Sequence, residues 1–213
     1  MRASVIAAAM LAWGAASATH AGADALWTTG FKGGVSIATV GGDDANDAES
    51  RTTFAGGFFA QADLSRNFGL RFEGLFFGKG ASGENGNIEG ELKFAYLELP
   101  ILLVGQAPVS ETVTISAFAG PTLGFNVGAD AEIDFGGFEV SGDIGDEIAD
   151  FEFGLAFGAG VGFEVGEVIL VFDGRYDLGL TSIDDGLSDT GEDLDLKNRA
   201  WAFMAGVGFP IGR

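Results

Sequence analysis

From residue 151 to 165 the odd positions read Phe, Phe, Leu, Phe, Ala, Val, Phe, Val. The even positions are Glu152, Gly154, Ala156, Gly158, Gly160, Gly162 and Glu164. A strand sends successive side chains to opposite faces, so this pattern predicts a strand with one large apolar face and one small or charged face. Residues 168–180 repeat it, with Val168, Leu170, Phe172, Tyr176 and Leu178 against Asp173, Arg175 and Asp177. Residues 113–127 set Val113, Ile115, Leu123 and Phe125 against Thr114, Ser116, Gly120, Thr122 and Asn126. Residues 198–211 set Trp201, Phe203, Val207, Phe209 and Ile211 against Asn198, Ala202, Gly206 and Gly208.

Four earlier segments follow the rule with exceptions. Residues 27–40 carry Trp27, Phe31, Val35 and Ile37 opposite Thr28, Lys32 and Ser36. Residues 53–64 carry Phe54, Phe58 and Leu64 opposite Gln61 and Asp63, with Phe59 on the polar side. Residues 68–79 put Phe68, Leu70, Phe72 and Phe76 opposite Arg71, Glu73 and Lys79, with Leu75 and Phe77 out of place. Near residue 96 the phase slips: Leu92, Phe94 and Tyr96 are even, whereas Leu97, Leu99, Ile101 and Leu103 are odd. Such a slip predicts a β-bulge in this strand, and Pro100 beside it fits a local irregularity. The count is eight strands.

The face that meets the solvent decides the class. A soluble barrel turns its large apolar side chains inward and covers its outside with Lys, Glu, Thr and Ser. Here the second face is mostly Gly, Ala, Ser and Thr with isolated charges, too bare for a solvated exterior but suited to the narrow interior of eight strands. The large apolar face then points at lipid, and the sheet must close to satisfy its backbone. The expectation is an all-β, eight-stranded antiparallel transmembrane β-barrel.

The connections agree. Residues 65–67, 105–112 and 166–167 are short, whereas 41–51, 80–91, 130–150 and 182–196 are long, an alternation of periplasmic turns and extracellular loops. Within the third long loop, residues 133–140 read as a hairpin on Gly136-Gly137, too short and acidic to span a bilayer. Trp27 and Trp201 fall at opposite strand ends, where aromatic girdles anchor such barrels to the lipid interface.

Composition sharpens this picture. The 213 residues include 36 Gly and 20 Phe, no Cys, and 31 acidic against 11 basic residues. Nucleic acid is a poor partner for such a charge, and thiolate chemistry is absent. Arg2, the apolar run 5–13 and the small residues after it have the layout of a secretory signal peptide, expected over residues 1–21 with cleavage between 18 and 23. The barrel domain is then 22–213. Cleavage removes His20, the lone histidine, and with it the usual general base and any Ser-His-Asp hydrolase. No enzyme activity is expected.

Residues 94–103, Phe-Ala-Tyr-Leu-Glu-Leu-Pro-Ile-Leu-Leu, resemble the Tyr-Leu-Glu-Ile-Pro-Leu-Leu signature of the PorT-like outer-membrane β-barrel family. Residues 118–124, 158–163, 175–180 and 197–199 continue the likeness in order. The resemblance implies an eight-stranded barrel in the outer membrane of a Gram-negative-type envelope, and it names no molecular activity. It also implies insertion by the barrel assembly machinery, which reads the last strand. Gly206, Phe209 and Ile211 keep that strand's familiar spacing, moved two residues inward.

Three groups of residues are candidates for function. Arg71, Glu73, Glu98, Asp173, Arg175 and Asp177 face inward, and charges in a narrow lumen must pair. They form either a salt-bridged plug or the lining of a narrow pore for small solutes. The four long loops hold 21 of the 31 acidic residues, among them Asp184, Asp185, Asp189, Glu192, Asp193 and Asp195. These suit solvated, self-repelling loops or weak Ca²⁺ or Mg²⁺ binding, although the spacing is not that of an EF-hand. Lys197 and Arg199, on the outward face at the outer rim, are placed to meet lipopolysaccharide phosphates. The expected protein is a monomeric structural or surface-interaction barrel without a tightly held cofactor.

Overall fold

The computed structural model describes residues 26–42, 49–85, 88–136, 138–145, 148–183 and 195–212. Among the described residues nine antiparallel strands run in the order β1 (Leu26–Gly41), β2 (Glu49–Asp63), β3 (Phe68–Asn85), β4 (Ile88–Pro108), β5 (Val113–Phe135), β6 (Glu139–Asp143), β7 (Phe151–Val165), β8 (Val168–Gly179) and β9 (Lys197–Ile211). Eight of them close a barrel: β1 pairs with both β2 and β9, and β4 pairs with both β3 and β5. The ninth, β6, lies outside the closure and pairs with β5 alone among the described residues.

Parity holds around the wall. Phe31, Val35, Phe54, Phe58, Phe72, Phe157 and Phe203 point outward and stay exposed, Phe58 at 58%. An apolar belt of this extent is stable only against lipid, because water would have to cover far more than the few hundred Å² of apolar patch that soluble proteins tolerate. The three described turns 64–67, 109–112 and 166–167 share one end, the inner end. At the last of them Gly166 takes φ +64°, which lets a two-residue turn join Val165 to Val168.

The structure corrects two expectations. The phase slip does not bend β4, whose register with β3 is unbroken from Leu75–Glu98 to Asn85–Ile88. The irregularity lies across from it in β5: Ala95 faces Gly128 and Tyr96 faces Asn126, so Val127 is the extra residue. Even positions of β4 point inward throughout, and Phe94, Tyr96, Leu102 and Val104 are all buried in the lumen. The second correction concerns the segment 80–91, which is no long loop. There β3 and β4 run on as paired strands up to Asn85–Ile88. Together with the long β5 they raise a wall above the barrel. The hairpin expected at 133–140 forms the top of that wall, with Phe135 and Phe138 exchanging backbone hydrogen bonds of 2.9 and 3.4 Å and Gly136 at φ +63°.

Candidate functional site: a sealed lumen

Among the described residues, the inward parity of β1, β3, β4, β7 and β8 brings nine charged side chains into one buried network. Four are cationic (Lys32, Arg71, Lys79, Arg175) and five anionic (Glu73, Glu98, Glu152, Asp173, Asp177). Arg175 is at its centre with no exposed side-chain surface. It donates to both oxygens of Asp177 at 2.6 and 2.7 Å and to Glu73 Oε2 at 2.7 Å, and it lies 3.4 Å from Glu98. Toward the inner end, Lys32 Nζ bridges Glu73 and Asp173 at 2.6 Å each, and Arg71 reaches Asp173 at 3.2 Å. Toward the outer end, Lys79 Nζ bridges Glu98 at 2.6 Å and Glu152 at 2.7 Å. Asn198 then donates to Glu152 at 2.5 Å.

All six lumen residues singled out from the sequence lie in this network. Lys32, Lys79 and Glu152 were not singled out, although each stands on the polar parity of its strand. The out-of-place aromatics explain themselves here. Phe59 and Phe118 lie on either side of Arg71, with ring centroids 5.8 and 5.2 Å from the guanidinium carbon. Phe77 sits 5.4 Å from that of Arg175, and Tyr96 lies 5.0 Å from Lys79 Nζ. An aromatic face attracts a cation, and its bulk excludes water from the ion pairs. Gly158 makes room for this packing: a Cβ there would meet the Phe118 ring at 2.8 Å and the Gly174 carbonyl oxygen at 2.3 Å.

The two ends of the lumen differ. Above the ion pairs, Val40, Phe94, Tyr96, Ala129, Ile148 and Ile183 pack into an apolar cap, with Ile144 and Leu196 against it. Loop segments build part of this cap. Ala149 N donates to the Ile183 carbonyl at 3.0 Å, and Ile183 N to that of Leu196 at 2.8 Å. Below the ion pairs, a cavity of about 610 Å³ lies at the inner end, lined by Trp27, Gln61, Asp63, Arg66, Gln106 and Glu164 among others. Arg71 and Asp173 also line it.

Of the loop and rim candidates, Asp184, Asp185, Asp189, Glu192 and Asp193 lie outside the described residues. Asp195 pairs with Lys197 at 2.6 Å. Arg199 is exposed on the outward face, its guanidinium lying over Gly41. Trp201 is also outward, 5.0 Å from Tyr176 between ring centroids and stacked on Phe203. Trp27 is half-buried at the inner mouth.

A family model described as "Outer membrane protein beta-barrel domain" matches residues 17–185. Among solved structures, OprG from Pseudomonas aeruginosa is similar at 14% identity, covering 91% of this chain and 98% of its own, with a TM-score of 0.49. Neisserial surface protein A is similar at 12% identity, with coverages of 86% and 96% and a TM-score of 0.48. Ail, the attachment invasion locus protein of Yersinia pestis, is similar at 19% identity, with coverages of 86% and 98% and a TM-score of 0.40. No curated protein matches. The chain belongs to the outer membrane protein β-barrel domain family.

Proposed function

We propose that this outer-membrane β-barrel is a monomeric, non-conducting structural and surface-interaction protein whose acidic outer loops are its working surface. The observation that carries the reading is the cross-lumen network on Arg175, Lys32 and Lys79, backed by the apolar cap above it. Opening a path through the network would strip several buried charges of their partners at once, which costs several kcal/mol per orphaned charge. With the lumen filled, contact with anything outside the cell falls to the loops. Arg199 suits a lipopolysaccharide phosphate at the rim, and the leader is removed on export. The likeness of residues 94–103 and 118–124 to the PorT-like signature supports a place in that branch of outer-membrane barrels.

A second reading, a narrow pathway for small solutes, draws support from the 610 Å³ cavity at the inner end. Planar-bilayer recording on the refolded protein separates the two. The sealed-lumen reading expects no unitary steps from the wild-type protein. Reproducible steps that Arg175→Met or Lys79→Met alters would establish the pathway instead.

A further inference from the structure

We infer that the free edge of β6 is a docking site for an extended, cationic polypeptide segment that alternates basic and large apolar residues. The inference rests on the surface-interaction reading and gives that surface a partner chemistry. Three observations carry it.

First, β6 ends the sheet. It pairs with β5 from Asp134–Glu139 to Asp130–Asp143 and with no other strand among the described residues. The backbone bonds at the two ends of β6 fix which groups are spent. Phe138 and Phe135 bond each other, and Ile144 N donates to the Ala129 carbonyl at 3.0 Å. Hydrogen-bonded pairs alternate along an antiparallel ladder, so Val140 and Gly142 also face β5. The N–H and C=O groups of Glu139, Ser141 and Asp143 therefore point away from the sheet. Ser141, Gly142 and Asp143 are exposed, so an added strand has access to them.

Second, one face of this wall is apolar in water. Ile133, Phe135, Phe138 and Val140 are 41, 52, 77 and 55% exposed. They continue upward from the buried Phe94 and Ala129 of the cap. The segment 126–135 of β5, which extends past the last residue paired with β7, is ten residues or about 33 Å of strand. Ile133 and Phe135 therefore lie eight and ten residues beyond the last β5–β7 pair, past the closed part of the barrel.

Third, the other face is acidic and its nearby cation is occupied. The register sets Glu91 against Glu132 and Asp130 against Asp143, like charges directly opposite each other. Lys93 is engaged with both Glu91 and Glu132, leaving the Asp130–Asp143 row without an ion-pair partner among the described residues. A strand added to β6 would place alternate side chains on the Val140 face and on the Asp143 face. That demands apolar and basic residues in turn. A second copy of this chain does not fit, because pairing two β6 edges would bring acid rows together. Sheet-edge addition combines main-chain bonds for affinity with alternate pockets for specificity.

The test uses the full barrel refolded in neutral phosphatidylcholine bilayers and a fluorescent seven-residue peptide, Lys-Val-Lys-Phe-Lys-Val-Lys. A second peptide of equal charge is N-methylated at every second residue, on the edge that would face β6. Binding of the first peptide, with at least about tenfold weaker binding of the second, is the expected result. The variant Ser141→Pro removes one outward N–H and leaves the β5 ladder intact, and it should weaken the first peptide by a similar factor. Its folding is checked by heat-modifiable gel migration, and the methylated peptide tests the edge on the unaltered protein. Equal binding of both peptides overturns the edge inference and leaves the acidic surface standing as a site. Binding of neither overturns both, and dimerisation without peptide overturns the choice of occupant.

Discussion

Replacing Arg175 by Met tests whether the lumen is dry and tightly paired. Methionine keeps much of the stem volume and removes the guanidinium, which bonds Asp177 twice and Glu73 once and lies 3.4 Å from Glu98. Glu73 retains Lys32, and Glu98 retains Lys79, each at 2.6 Å. Asp177 loses its only ion-pair partner among the described residues and is left almost wholly buried. Removing one partner from a buried pair destabilises by about 3–5 kcal/mol. The double variant Arg175→Met/Asp177→Asn removes the orphaned charge as well. It should regain more than half of the loss, giving a coupling of about 2–3 kcal/mol, within the range for residues in one network. Urea unfolding in lipid vesicles, followed by tryptophan fluorescence and gel mobility, measures each corner of the cycle. A single-variant loss under about 1 kcal/mol with no coupling would mean that water already screens the network, and the sealed-lumen reasoning would fall with it.

Gly158→Val should destabilise the barrel by about 1–3 kcal/mol through overpacking against Phe118 and the Gly174 carbonyl, and a neutral result in the same titration would show that this layer is loose. For Glu91, in the wall above the barrel, desolvation is the largest single influence and pushes the carboxyl up, but hydrogen bonds and charge from Arg51 and Lys93 together outweigh it, so the carboxyl titrates below the usual 4.5. A depressed folded value means the stabilisation is present above the unfolded value and disappears as pH falls through the folded one. Amide exchange in the outer parts of β3, β4 and β5 should therefore quicken below about pH 4, and Glu91→Gln should remove that dependence. Trp201 fluorescence should be quenched by brominated lipid acyl chains, whereas a Trp27-only protein should be quenched less, since Trp27 is half-buried at the mouth of the inner cavity.

The barrel was legible because lipid and lumen impose opposite demands on alternate residues. Four strands, β5, β7, β8 and β9, showed this cleanly in parity, as in Phe151–Glu152 of β7 and Trp201–Ala202 of β9, and β1, β2 and β3 showed it with exceptions. Parity failed at Phe94 and Tyr96, where the apolar cap fills the lumen with the same residue types that lipid selects outside. A sequence pattern cannot tell those two apolar surroundings apart, so the slip was assigned to β4 when the extra residue is Val127 of β5. Pairing within the lumen was illegible for another reason. Parity says that Lys32 and Asp173 both point inward, but strand tilt and stagger decide that they meet at the same depth across 141 residues of chain. Phe59 and Phe77, exceptions to the pattern, were the available signal, since bulky rings on a polar face are best explained by something to pack against.

The acidity of this chain has two physical meanings, divided by the membrane. Inside, five carboxylates face four cations, and each anion is held by at least one of them at 2.7 Å or less. A low-dielectric interior tolerates charge only on those terms. Outside, water screens each carboxylate within about 10 Å, so the sequence can accumulate acid there without matching it. Substitutions among the loop acids should therefore leave unfolding energies within about 0.5 kcal/mol, the range for ordinary surface positions, whereas single changes among the nine lumen charges should not. Freedom from structural constraint is what lets an outer surface be shaped by its contacts. On the docking proposal, Asp130 and Asp143, which have no ion-pair partner among the described residues, answer to a partner rather than to the fold.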